Sequence, residues 1–219
     1  MEPERDKTSL VVDASSSSVQ VGLAEAEGWN HLETLELPPL EGLFAATAKV
    51  LKKGRTSLSE IEEIFFCEGP GSTLGLRITA AFVKSILWER EGKVSLFAYN
   101  ALDLACRMGP KPPLRLQAPF RKGWRFLRTQ EGENPIGHKQ IMESEEAFAR
   151  FPESHHLPDY RSPQDSVPPS LRVTYDLAET GGLEDLEKVS TPTDSPSVYS
   201  PKPPAFKKWE PVRTPSPER

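Results

Sequence analysis

The sequence predicts an α/β protein with two unequal halves, on three observations. Between Leu10 and Leu35, short apolar runs alternate with turn residues. Between Ile64 and Arg90, an apolar strand, a glycine-rich turn and a long apolar helix follow in succession. Proline supplies the third: of 22 in 219 residues, four (Pro3, Pro38, Pro39 and Pro70) precede residue 110. The overall share is about twice the usual ~5%. Regular structure is therefore expected mainly in residues 1–109, a reduced second unit in 110–189, and a disordered Pro/Ser/Thr-rich tail in 190–219.

The elements follow in order. Leu10–Val12 reads as a strand closed by Asp13-Ala14 and the serine run 15–18. Val19, Val21 and Leu23 alternate with Gln20, Gly22 and Ala24, the period of a half-buried strand. Trp29–Leu35 completes an antiparallel meander. After Pro38-Pro39, the apolar face Leu40, Leu43, Phe44, Thr47, Val50 and Leu51 has helical spacing. Lys52-Lys53 suit the last turn, and Gly54 is placed to end the helix in a left-handed conformation. Ser59 with Glu62 fits a capping box. Ile64–Cys67 is a buried strand, Thr73–Arg90 a helix, Val94–Phe97 another strand, and Asn100 caps a helix reaching Arg107. Beyond this, Leu114–Gln117 and Trp124–Leu127 pair across the turn at Arg121-Lys122-Gly123. Phe148 and Phe151 mark a short helix, Leu171–Tyr175 a strand and Glu184–Val189 a helical turn.

Composition excludes several functions. Lys and Arg number 27 against 32 Asp and Glu, a net charge of −5, with the deficit of bases in the first half. Autonomous nucleic-acid binding, which needs basic excess, is not expected. No apolar run is long enough for a membrane helix. The charged start Met1–Lys7 is no secretory leader. Cys67 and Cys106 read as two buried thiols, consistent with a cytoplasmic protein. His31, His138, His155 and His156 form no metal or catalytic pattern, and the pair 155–156 reads as solvated. Glu60, Glu62 and Glu63 read as a solvated acidic face. No metal and no cofactor are expected.

The sharpest motif is Gly69-Pro-Gly-Ser-Thr-Leu-Gly-Leu-Arg77. It stands between a strand and a helix N-terminus, where free amides can hold an anion. The phosphate-loop spacing is not met, and Leu76 stands where a lysine is needed. A tight structural turn is the simpler reading. Asp13 and Ser15 read in the same way, as groups satisfying turn amides. Arg77, Lys84 and Glu91, seven apart, form one polar stripe on an otherwise apolar helix. Such a helix needs cover on two sides, its own sheet and a neighbour.

Asp13-Ala-Ser15, with Gly69, Pro70, Gly71, Ser72, Gly75, Leu76, Arg77, Ile78 and then Lys84, resembles the bacterial TsaB (YeaZ) family. That family carries D-T-S near its start, G-P-G-S-F-T-G-L-R-I-G later and A-K-G-L on the helix. Asn100-Ala-Leu-Asp-Leu-Ala105 is similar to its S-x-L-x-A-L-A helix. The likeness covers about residues 8–107. Thr73, Leu74 and Thr79 depart from it, and Pro119 replaces an aspartate of the second unit. The resemblance implies an actin-like (ASKHA) fold of two subdomains, each a sheet flanked by helices. It implies a non-catalytic subunit that pairs with its paralogue TsaD. With the ATPase TsaE, the pair supports threonylcarbamoyl transfer to adenosine 37 of tRNA, which is met only through the complex. The resemblance also allows a homodimer of the chain when alone. The implied partner surface is the first two helices, with Leu40, Leu43, Phe44 and Thr47 on one and Ile78, Ala81, Phe82 and Ser85 on the other. The alternatives are an actin-like kinase or metallopeptidase relative, or a binding module outside tRNA modification.

Overall fold

The computed structural model describes residues 7–108, 115–130, 132, 134–159 and 167–199. Strands β1 (Ser9–Asp13), β2 (Val19–Ala24) and β3 (Trp29–Leu35) form the expected meander. Helix α1 (Pro39–Gly54), β4 (Glu63–Gly69), α2 (Thr73–Glu89), β5 (Ser95–Asn100) and the short α3 (Ala101–Ala105) follow. The second half supplies β6 (Arg115–Arg121), β7 (Trp124–Thr129), β8 (His138–Glu143), α4 (Ser144–Arg150), the two-residue β9 (His155–His156), α5 (Leu183–Val189) and β10 (Ser190–Thr193).

The strands make two sheets. The first has six, in the order β10-β5-β4-β1-β2-β3, with β5, β4 and β1 parallel. The second has four, in the order β8-β7-β6-β9. Because side chains alternate across a strand, each central strand of the first sheet feeds two cores. Leu10, Val12, Ile64, Phe66, Leu96 and Ala98 point to α1 and α2, against Leu43, Val50, Phe82, Val83 and Ile86. Val11, Phe65, Cys67 and Tyr99 point the other way, to α3, α5 and the second sheet's Leu116, Ala118 and Phe126.

Several sequence expectations are corrected. The left-handed residue ending α1 is Arg55 (φ 53°), not Gly54. A Cβ on Gly54 would lie 2.4 Å from Leu23 Cδ1, the end of a side chain that can turn aside, so the position does not demand glycine. The capping box is Ser57 with Glu60 rather than Ser59 with Glu62, opening a 3-10 turn at Leu58–Glu60. Helix α3 stops at Ala105, short of Arg107. Leu171–Tyr175 is no strand; it follows a 3-10 turn at Pro169–Leu171 and makes one isolated bridge, His156 to Arg172.

The domain boundaries also move. Residues 175–199 leave the second sheet and return to the first, so 110–189 is not one unit. Gln20 on β2 donates from Nε2 to Asp176 Oδ1 at 2.5 Å and accepts from the Leu177 amide at 3.1 Å. Trp29 Nε1 donates to Leu177 O at 3.0 Å. Ser190–Thr193, assigned to a disordered tail, is the edge strand β10, paired antiparallel with β5. The Tyr199 amide donates to Glu68 O at 2.8 Å, and its ring lies 5.8 Å from Phe126. The rest of the expected tail, 200–219, lies outside the described residues, as do Met1–Asp6 and Leu114.

Candidate functional site

Two features stand out: a cleft at the carboxyl ends of β1 and β4, and the outer face of α1 and α2. The cleft measures about 780 Å³ and is bounded by the serine run 15–18, Pro38-Pro39, Pro70–Thr73, Pro119 and Tyr175. Behind its lining residues Ser15 and Tyr175 lies a knot around Asp13, which is 2% exposed. Asp13 Oδ1 accepts from the Ser15 amide at 2.6 Å. Its Oδ2 accepts from the Tyr99 hydroxyl at 2.7 Å and the Tyr175 hydroxyl at 2.5 Å. Burial first, then the charge of Asp13, pushes both phenols well above their ordinary range. The same two causes push the Cys67 thiol up. Both Asp13 oxygens thus serve internal donors. The carboxyl group ties β1, β5 and the returning segment together, and the charged residues on the cleft wall, Glu36 and Asp159, are both acidic.

The Gly69–Arg77 motif is built for close approach. Gly69 ends β4 at φ +123°. A Cβ on Gly71 would lie 2.3 Å from Ser15 O, and one on Gly75 would lie 1.8 Å from Ala14 O. The Ser72 amide donates to Ser15 O at 2.7 Å, and Ser72 Oγ caps α2 by accepting from the Gly75 amide at 3.2 Å. These glycines let the start of α2 lie directly on the β1–β2 turn. Leu76 enters the core, while Arg77 and Lys84 are exposed. Among the described residues, no group of three or more His, Cys, Asp or Glu side chains could hold a metal ion. No helix there is long and apolar enough to cross a membrane. His156, expected to be solvated, is 3% exposed; its Nδ1 lies 3.1 Å from Arg125 Nη2, and its ring stacks on Phe148.

On the helical face the structure divides the expected partner residues. Leu43, Thr47 and Phe82 are buried inside this chain, at 0%, 5% and 8% exposure. They belong to its own core because they lie on the helix sides turned to the sheet. Leu40 and Phe44 are 56% and 59% exposed, Ala81 and Ser85 are exposed, and Ile78 is half-buried. The sequence reading missed Leu37, Leu74 and Trp88, of which Leu74 and Trp88 are 61% and 86% exposed. The signal was present: Leu74, Ile78, Ala81, Ser85 and Trp88 are spaced 4-3-4-3, the repeat of a helix that packs along a second helix. The Phe44 and Phe82 rings meet edge to face at 5.5 Å, setting α1 beside α2.

No protein-family model matches the sequence, and no curated protein matches it. Solved structures do. YeaZ from Pseudomonas aeruginosa aligns with 83% of this chain and 89% of its own, at a TM-score of 0.57 and 18% identity. A second Pseudomonas aeruginosa protein, described as similar to peptidase YeaZ, aligns with 63% of this chain and 67% of its own, at a TM-score of 0.51 and 18% identity. The fold is YeaZ-like: α/β and actin-like. At this identity the likeness extends to fold alone.

Proposed function

We propose that this chain is a TsaB-like, non-catalytic scaffold subunit. In this reading it pairs with a TsaD protein through α1 and α2 and, with TsaE, supports threonylcarbamoylation of tRNA. The observation that carries the reading is the row of exposed apolar and small side chains Leu74, Ile78, Ala81, Ser85 and Trp88, beside Leu40 and Phe44, on a YeaZ-like fold. Exposed apolar groups gathered on one face favour a protein partner. The non-catalytic part is supported by Asp13, which lies buried behind the cleft and is engaged internally by three donors.

The test is co-elution with TsaD. Covering Leu74 or Trp88 in a complex is worth ~1.5–3 kcal/mol each. A carboxylate placed there loses that and adds a desolvation cost. Since ~1.4 kcal/mol is tenfold, Leu74→Asp with Trp88→Asp should abolish a micromolar complex while leaving the chain folded. Unchanged co-elution removes this face from the interface. Phe82 is unsuitable for the test, because a charge there would unfold the chain's own core.

A further inference from the structure

The β6–β7 turn concentrates positive charge in a chain that is acidic overall. Arg121, Lys122 and Arg125 line a recess of about 300 Å³ with Trp124 and Ser144, and Asp159 is the carboxylate on its wall. Pro119 and Asp159 also line the larger cleft, so the recess opens beside it. The Arg121 guanidinium lies over the Trp124 ring at 5.1 Å and the Phe120 ring at 5.7 Å. Its Nε is enclosed and has no hydrogen-bond acceptor among the described residues. Below it, Arg125 is 5% exposed and lies over the Phe148 ring at 4.8 Å. Lys122 is exposed at the turn itself.

A guanidinium already held over aromatic rings loses little freedom when an anion arrives. Its planar donor fork matches the oxygens of phosphate. An ammonium at the rim supplies a second charge, and the aromatic floor suits a sugar or base next to the phosphate.

We propose that this recess takes a backbone phosphate of RNA, contacted by Arg121 and Lys122. Phosphate follows from the residues themselves; RNA rests on the tRNA-modification reading above. The contact is auxiliary, since two cations cannot hold RNA tightly in a chain of net charge −5.

The experiment titrates labelled tRNA with the full chain and follows fluorescence anisotropy at several salt concentrations, starting from about 20 mM. Two phosphate contacts predict a log–log salt slope of about −1.5. Arg121→Gln with Lys122→Gln should weaken binding at least about tenfold at low salt and flatten the slope. The control Lys52→Gln with Lys93→Gln, the same charge change elsewhere, should alter neither. Thermal unfolding of both variants confirms that they are folded. The proposal is overturned if the chain shows no salt-dependent binding, if the control loses as much as the test variant, or if inorganic phosphate binds while tRNA does not. Co-elution with TsaD is read separately. A chain that contacts tRNA but does not pair with TsaD overturns the scaffold reading and leaves this site. A chain that pairs, with tRNA contact unmoved in the double variant, does the reverse.

Discussion

The six-stranded and four-stranded sheets are held by different forces. The first buries apolar side chains on both faces: Leu10, Val12, Ile64 and Phe66 on one side, Val11, Phe65 and Tyr99 on the other. The second lies against it through part of that core but is fixed by buried charge. Asp103 on α3 accepts from Arg128 Nε at 2.8 Å, from Lys139 Nζ at 2.5 Å and from the Gly137 amide at 2.9 Å. Asp103 and Arg128 are each 1% exposed. A second tie, Arg107 to Asp185 at 2.6 Å, joins the end of α3 to α5. Burial raises the Asp185 pKa, but the Gly181 amide and Arg107 outweigh it and leave the group below its ordinary value. Apolar burial tolerates small adjustments. A buried charge network does not, because removing one member strands the others.

The strongest way to break this contrast is Asp103→Ala. It leaves Arg128 and Lys139 without their carboxylate and should cost about 3–5 kcal/mol. The urea midpoint measures the loss. Hydrogen exchange should show β6–β8 opening before β1 and β4; uniform opening would mean that the two sheets are one cooperative unit.

The first sheet has its own rigid point in Gly75→Ala. Alanine favours a helix over glycine by about 1 kcal/mol, but here its Cβ would meet Ala14 O at 1.8 Å. Overpacking against backbone should dominate, with a net loss of about 2–3 kcal/mol by denaturation. A neutral result would show that α2 can slide away from the β1–β2 turn. Tyr175→Phe tests the knot joining the returning segment to β1. Removing one donor from the buried Asp13 should cost about 1.5–3 kcal/mol, visible as a lower Tm. An unchanged Tm would mean that Tyr99 and the Ser15 amide suffice.

These two forces explain what could be read from the sequence. In the first sheet apolar period and turn chemistry agree, so β1–β5, α1 and α2 are legible to within three residues at each end. The second sheet hides its core in residues that read as surface. Arg128 and Lys139 carry charge, and β8 (His138–Glu143) has no apolar alternation, so that strand went unseen. The return of residues 175–199 was invisible because its anchors, Gln20 with Asp176 and Asp13 with Tyr175, lie more than 150 positions apart. In the candidate site the Gly69–Arg77 turn was legible. The exposed face of α1 and α2 was half legible: helical spacing identifies a seam but not which side of it the sheet covers.

A pH scan probes the second sheet further. His156 is lowered to about 4, by burial first and then by the neighbouring Arg125 and His155 charges. The unfolded chain protonates it near 6.5, so the unfolded state binds the proton first. The stability from keeping this ring neutral is full above about 6.5 and is lost as pH falls towards 4, by about 3 kcal/mol. His156→Asn should flatten that part of the urea-midpoint profile; an identical slope would assign the loss to other groups.

The smallest effect on stability is expected on the outer helical face, where Trp88→Asp should change folding by less than about 0.5 kcal/mol. That indifference makes it the direct test of the scaffold reading. Full-length wild type and Leu74→Asp/Trp88→Asp are each mixed with TsaD and passed over a sizing column with light scattering. A heterodimer with wild type, and two separate folded monomers with the variant, is the predicted result. A variant that still forms the heterodimer, or a wild type that never does, contradicts it.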